Sequence, residues 1–261
     1  MRSLSIAATG MLAQQLNVEV ISNNIANMNT TGFKRQRADF QDLLYENLRR
    51  VGSNSSDAGT IVPSGVQIGV GVKAGSVYRI TEQGDLRITE NPLDMAVNGR
   101  GMFRVQLPSG EDAYTRSGAF ALSPDGEIVT SDGFVVAPGI TVPTETVDIT
   151  INASGEVQVK LAGQTQQQTV GQIELVLFPN QAGLEAIGDN LFLETPASGQ
   201  ATVGVPGSTG FGTIEQGFLE NANVNAVQEI TDLITAQRAY EMNSKVITTS
   251  DEMMAQINSM R

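Results

Sequence analysis

Apolar residues recur every seven positions at both ends of the chain. Leu4, Met11, Val18 and Ile25 mark one heptad position, and Ala7, Ile21 and Met28 fill a second, with Gln14 as its single polar occupant. The spacing predicts a helix from Ser3 to Met28, roughly 39 Å long at 1.5 Å per residue. Asn29-Thr30-Thr31-Gly32 supplies its stop, because glycine closes a helix in the left-handed conformation and asparagine tolerates it. At the other end Leu233, Tyr240, Ile247 and Met254 repeat the interval, flanked on the same side by Ile230, Ala236 and Ile257. Asn225, followed three positions later by Gln228, fits a capping box, with Asn223 as an alternative cap. The second helix then runs to about residue 258, roughly 50 Å. One such stripe reads as a helix folded onto its own domain; two matched stripes at opposite ends predict a pair.

Between these ends the period drops from seven to two. Turn signals at Ser109-Gly110, Asp125-Gly126, Asp132-Gly133 and Ser154-Gly155 separate short apolar runs, the pattern of antiparallel β structure. Thr146 to Ile151 alternates, and Ile173 to Phe178 reads as a more buried strand. The glycine- and serine-rich stretches 52–65 and 197–213 read as loops or extended linkers. The fold expected is therefore α+β. Long terminal helices pair as a coiled-coil core domain, with a central antiparallel β-rich domain and an extended β connector. The boundaries are 1–32 with 223–261 for the helical core, 33–70 with 204–222 for the connector, and 71–203 for the outer β domain.

Composition narrows the chemistry. The chain has 261 residues, 40% of them hydrophobic, and no Cys, His or Trp. Disulfides, Cys/His metal sites, thiol nucleophiles and His-dependent triads are thereby excluded. No cofactor, metal or catalytic residue is expected. A net charge of −12 argues against nucleic acid as a partner. That charge is concentrated, since residues 105–220 hold fourteen acidic residues against only Arg116 and Lys160, which predicts a hydrated, self-repelling surface. No run of apolar residues is long enough to span a membrane, and Thr9, Gly10, Gln14, Gln15 and Asn17 make the first segment a poor signal peptide.

Three local patterns invite a chemical reading. Gly69-Val70-Gly71-Val72-Lys73-Ala74 matches a dinucleotide fingerprint, but Val77, Tyr78 and Ile80 continue as strand where a phosphate-binding helix is required. The glycines suit close backbone approach or a bulge instead. The acid pairs Glu111 with Asp112 and Asp125 with Glu127 could serve glycoside hydrolysis. They fall at turns, and four Tyr without Trp make a poor sugar platform. Lys34, Arg35 and Arg37 form a small basic cluster suited to a solvated face or to salt bridges with an acidic neighbour.

Three blocks carry a resemblance. Residues 22–34 (Ser-Asn-Asn-Ile-Ala-Asn-Met-Asn-Thr-Thr-Gly-Phe-Lys), 91–103 (Asn-Pro-Leu-Asp-Met-Ala-Val-Asn-Gly-Arg-Gly-Met-Phe), and 217–225 continuing to 233–241 are similar, in order and spacing, to the signatures of the bacterial flagellar rod and hook family. The family positions are Asn24, Asn27, Asn29, Gly32, Phe33, Asn223, Asn225, Gln237 and Arg238, and Ala222 stands where the family commonly has Ser. Residues 33–46 and 63–69 resemble the distal rod branch in particular, with the proximal rod as the alternative within the family.

What the resemblance implies is a non-enzymatic structural subunit. It polymerises with copies of itself into a hollow helical drive shaft that crosses the periplasm within the flagellar basal body. Its implied partners are the proximal rod proteins, the hook protein, the surrounding ring proteins and the flagellar export apparatus, which secretes such subunits without a cleaved signal. The apolar seams say independently where copies would meet: Leu4, Met11, Val18, Ile21, Ile25, Met28, Ile230, Leu233, Tyr240, Ile247, Met254 and Ile257. The reading from a different class is a secreted β-rich glycan-active enzyme whose helices dimerise it.

Overall fold

The computed structural model describes residues 2–49, 64–164 and 166–260, so most of the expected 52–65 linker lies outside the described residues. The chain divides into two compact units. One comprises Met1–Ile25, Gln36–Tyr78 and Asn225–Arg261; the other comprises Ala26–Arg35 and Arg79–Val224. The strands within residues 36–78 cluster with the two helices.

The first unit is built on two helices, α1 (Arg2–Ala26) and α2 (Ala226–Ser259). α1 ends two residues before Met28, which lies in the following turn and is exposed. α2 starts where the asparagine pattern indicated: the Asn225 side chain accepts hydrogen bonds from Val227 N at 3.1 Å and Gln228 N at 3.3 Å. The reciprocal half of the capping box is absent, because the Gln228 amide turns outward to Asp232 Oδ1 at 3.0 Å. Strand Gln36–Asp42 pairs with Val72–Arg79, and Tyr45–Arg49 pairs antiparallel with Val66–Gly69. The fingerprint-like glycines thus join two strands with no helix between them. Gly71 sits at φ +136°, and a Cβ there would lie 2.2 Å from Thr9 Oγ1, so only glycine lets this strand pass α1.

The second unit is the β body. A nine-stranded sheet runs Glu185–Gly188, Leu191–Leu193, Asp112–Thr115, Met102–Gln106, Val135–Val136, Ile128–Thr130 and Phe120–Leu122, with Leu175–Leu177 and Thr202–Gly204 branching from Met102–Gln106. A three-stranded sheet of Thr146–Ile151, Glu156–Leu161 and Gln168–Gln172 completes the main core. These pairings are antiparallel. The alternation of side chains explains why both faces of the large sheet are covered. Phe103, Val105, Ala113 and Leu175 point into the core with Val157, Val159 and Ile214, whereas Met102, Tyr114 and Val176 point the other way, onto Phe178 and Leu184. Edge-to-face aromatic pairs mark both sides, Phe103 with Phe120 and Tyr114 with Phe178. The turn glycines 110, 126, 133 and 155 all take positive φ, as their hairpin positions require. Thr146–Ile151 is a strand over the range expected; the buried run after Ile173 narrows to Leu175–Leu177, and the supposed linker 197–213 contains the strand Thr202–Gly204.

Candidate functional site

The line along which α1 and α2 meet is small and polar. Ser250 Oγ reaches Ser3 Oγ at 3.3 Å, a Cβ on Gly10 would stand 2.9 Å from Asn243 Nδ2, and Asn24 Nδ2 donates to Glu229 Oε2 at 3.1 Å. Contacts advance by seven or fourteen residues on α1 as they retreat by the same number on α2, so the helices run antiparallel where they touch. The same interval puts Asn17 in register with Ala236, which is 2% exposed. The line of closest approach therefore lies one residue before the apolar series Leu4, Met11, Val18 and Ile25.

Displacement of that line leaves apolar surface over. On α1, Leu4, Met11, Val18 and Ile25 are half-buried, while Ile21 is buried within the chain itself. On α2, Leu233 and Ile247 are half-buried, and Ile230, Tyr240, Met254 and Ile257 are exposed. Beyond the residues of the heptad count, Val227, Ile234, Met242, Val246, Met253 and Met260 of α2 are also exposed, the first to 76%. At helical spacing Val227 and Ile234 lie roughly half a turn round from the line of Glu229, Ala236, Asn243 and Ser250, Ile230 and Met242 lie more than a quarter turn from it, Val246, Met253 and Met260 flank it, and Ile257 continues it. α2 is thus apolar on its outer side as well, which a helix finished by its own chain is not. Gln237 and Arg238 are also exposed on it.

Asn24 fixes the end of α1. Buried to 2% exposure, it accepts from Gln36 N and donates to Gln36 O, both at 2.8 Å, besides meeting Glu229. Asn223 plays a comparable part within the β body, accepting from Arg35 N at 2.7 Å and donating to Ile80 O and Glu82 O. Gly32 is buried at φ +70°, its N donating to Glu220 O at 2.8 Å, and a Cβ would meet Ser117 N at 2.7 Å. Asn27 binds the Thr30 hydroxyl at the turn, Phe33 is half-buried and Asn29 is exposed.

All three sequence blocks converge on a buried ionic node in the β body. Glu220, with 1% of its side chain exposed, receives Lys34 Nζ at 2.5 Å and Gly84 N at 2.9 Å on Oε1, and Arg116 Nε at 2.5 Å on Oε2. Arg116 spends its remaining donors on the carbonyls of Val97, Gly99 and Gly101. Burial pushes the Glu220 carboxyl up, but Arg116 and Lys34 outweigh it and hold the carboxyl below its ordinary range. Burial pulls the Lys34 ammonium down, and Glu220 only partly restores it. The sequence offered one signal for Arg116, a base isolated among acids; Glu220 and Glu229 looked like ordinary surface acids. Of the other cluster members, Arg35 approaches Glu82 at 3.7 Å and Arg37 lies over the Tyr78 ring at 5.3 Å.

Comparison with known proteins follows the same three blocks. Family descriptions match at residues 4–34 (flagella basal body rod protein), 96–159 (flagellar hook protein FlgE/F/G D1 domain) and 215–260 (flagellar basal body rod FlgEFG protein C-terminal). The flagellar basal-body rod protein FlgG of Caulobacter vibrioides is 64% identical over 261 residues, covering all of both chains. The chain belongs to the FlgG family of flagellar basal-body rod proteins. The FlgG of Agrobacterium fabrum is 53% identical over 97% of each chain, and that of Bacillus subtilis 38% identical over the whole of this chain. FlgG membership makes the chain a structural component of the flagellar basal-body rod and not an enzyme, which removes the glycan-active reading. The acids once weighed for catalysis do local work: Asp112 pairs with Arg104 at 3.3 Å, and Asp125 sits in a turn fastened by Ser123. Among the described residues no helix is long and apolar enough to cross a membrane.

Proposed function

We propose that the chain is a distal rod subunit that polymerises head to tail into a hollow helical shaft, carrying motor torque across the periplasm to the hook. The observation that supports this most directly is the two-sided α2: its inner line meets α1, and its outer side keeps an exposed apolar stripe of Val227, Ile230, Ile234 and Met242. Sister copies cover that stripe. A contact between different faces of one subunit does not close on itself and generates a filament. Each buried Ile, Val or Met contributes about 1.5–3 kcal/mol to such an interface, less the cost of ordering the side chains.

In this reading Leu4, Met11, Val18, Ile21, Ile25, Met28, Ile230, Leu233, Tyr240, Ile247, Met254 and Ile257 line the subunit contacts, and α1 and α2 pair as a coiled coil within the polymer. Residues 1–32 with 223–261 form the inner core of the shaft. Residues 33–70 with 204–222 connect neighbouring protofilaments, and 71–203 form the outer shell. The acidic 105–220 surface stays hydrated against the surrounding ring proteins. The proximal rod proteins bind below and the hook protein above, and the subunit arrives through the flagellar export apparatus without a cleaved signal peptide. Leu233→Asp tests the core: polymerisation is lost while the β body keeps its circular dichroism, and normal rods from this variant would refute the seam.

A further inference from the structure

In a chain of net charge −12, the β body holds a basic cleft. It encloses about 450 Å³ and has an apolar floor of Met102, Phe178, Leu184 and Phe192. Four cations line it: Lys34, Arg79, Arg100 and Arg116. Glu220 neutralises Lys34 and Arg116 from beneath. The two remaining guanidinium groups have no carboxylate partner among the described residues. Arg79 lies 4.7 Å over the Phe192 ring and donates to Leu184 O at 3.0 Å, and burial pulls its pKa down because no counter-charge offsets it. Arg100 is exposed, and its side chain makes no hydrogen bond or ion pair among the described residues.

The same body presents a segment of matching chemistry. Val147 is 70% exposed, the highest value among the exposed large hydrophobic residues of this unit. Glu145 and Asp148 flank it, both exposed and neither ion-paired among the described residues. The segment opens the three-stranded sheet, whereas Met102, Leu184 and Phe192 of the cleft belong to or adjoin the large sheet. Two exposed, unpaired acids beside an exposed apolar residue thus answer two guanidinium groups that lack a carboxylate partner. We propose that the cleft receives the Glu145–Asp148 segment of a second copy of this chain, with the carboxylates on either side of Val147 meeting Arg79 and Arg100. Because cleft and segment are different parts of the chain, the contact is heterologous and repeats along a polymer without closing. It adds an outer bond to the helical core and rests on the self-assembly reading above.

Charge reversal in the full-length chain tests it, with polymer measured by sedimentation across a concentration series. Arg100→Glu raises the critical concentration about tenfold or more, since a rim cation facing a carboxylate becomes a like charge. Asp148→Arg or Glu145→Arg does the same alone, and combining one of them with Arg100→Glu restores assembly. Unchanged circular dichroism in Arg100→Glu separates this effect from misfolding. Wild-type polymer with no response to Arg100→Glu would overturn the cleft and leave self-assembly standing. A loss that neither Asp148→Arg nor Glu145→Arg repairs would overturn this choice of segment. Failure of the wild type to polymerise would contradict the assembly reading and the docking with it.

Discussion

Glu220 is the residue on which the β body depends most sharply. Its carboxylate is the counter-charge for two buried cations, so Glu220→Ala leaves Lys34 and Arg116 without it and should cost about 3–5 kcal/mol, read as a lowered urea midpoint. Its carboxyl is held below the ordinary value of 4.5 in the folded chain. The unfolded chain therefore takes up the proton first as pH falls. The contribution is complete above that ordinary value and is lost as pH drops through the folded one. Urea unfolding at a series of acid pH values should show this loss in the wild type and a shallower slope in Glu220→Gln; equal slopes would contradict the assignment. Residue by residue, the sequence revealed this node only in part. Lys34 was legible as a partner for an acid, but nothing local distinguishes Glu220 from thirteen other acids in its region. Its role arises from contacts 104 and 186 residues away in sequence.

At the scale of elements, periodicity located both helices within a few residues, because a heptad is a local signal. On α1 the line of closest approach falls one residue before the apolar series, and on α2 it passes through Ala236. Apolar spacing reports which side of a helix seeks burial, and here small and polar residues take the closest approach while larger ones flank it. Ser3, Gly10 and Asn24 show this directly. Asn24→Ala should loosen the end of α1 by about 1–3 kcal/mol, since Gln36 and Glu229 lose a buried partner. Faster hydrogen exchange at the last turn of α1 would register it. Gly71→Ala meets both an unfavourable φ and the Thr9 hydroxyl, and should lower the melting temperature of the helical unit measurably; an unchanged melt would contradict the close passage at Thr9. The short strands were legible where turns and alternation coincide, as at Thr146–Ile151. They were not legible in the glycine-rich 197–213 stretch, where strand Thr202–Gly204 exists through its pairing with Leu175–Leu177.

At the scale of the whole molecule, the sequence places acids and exposed apolar surface in different parts of the chain. The fourteen acids of 105–220 belong to the β body, and the exposed apolar stripe of Val227, Ile230, Ile234 and Met242 belongs to α2. The first keeps copies apart where they face water; the second brings them together. The central claim is that sister subunits cover the outer side of α2. Ile230→Asp with Ile234→Asp tests it without touching the α1 line, because both residues are exposed in the single chain. Sedimentation of the full-length protein over a concentration series should show the critical concentration rising about a hundredfold or more, with helical content unchanged. Rods that form at the wild-type concentration from this double variant would contradict the account.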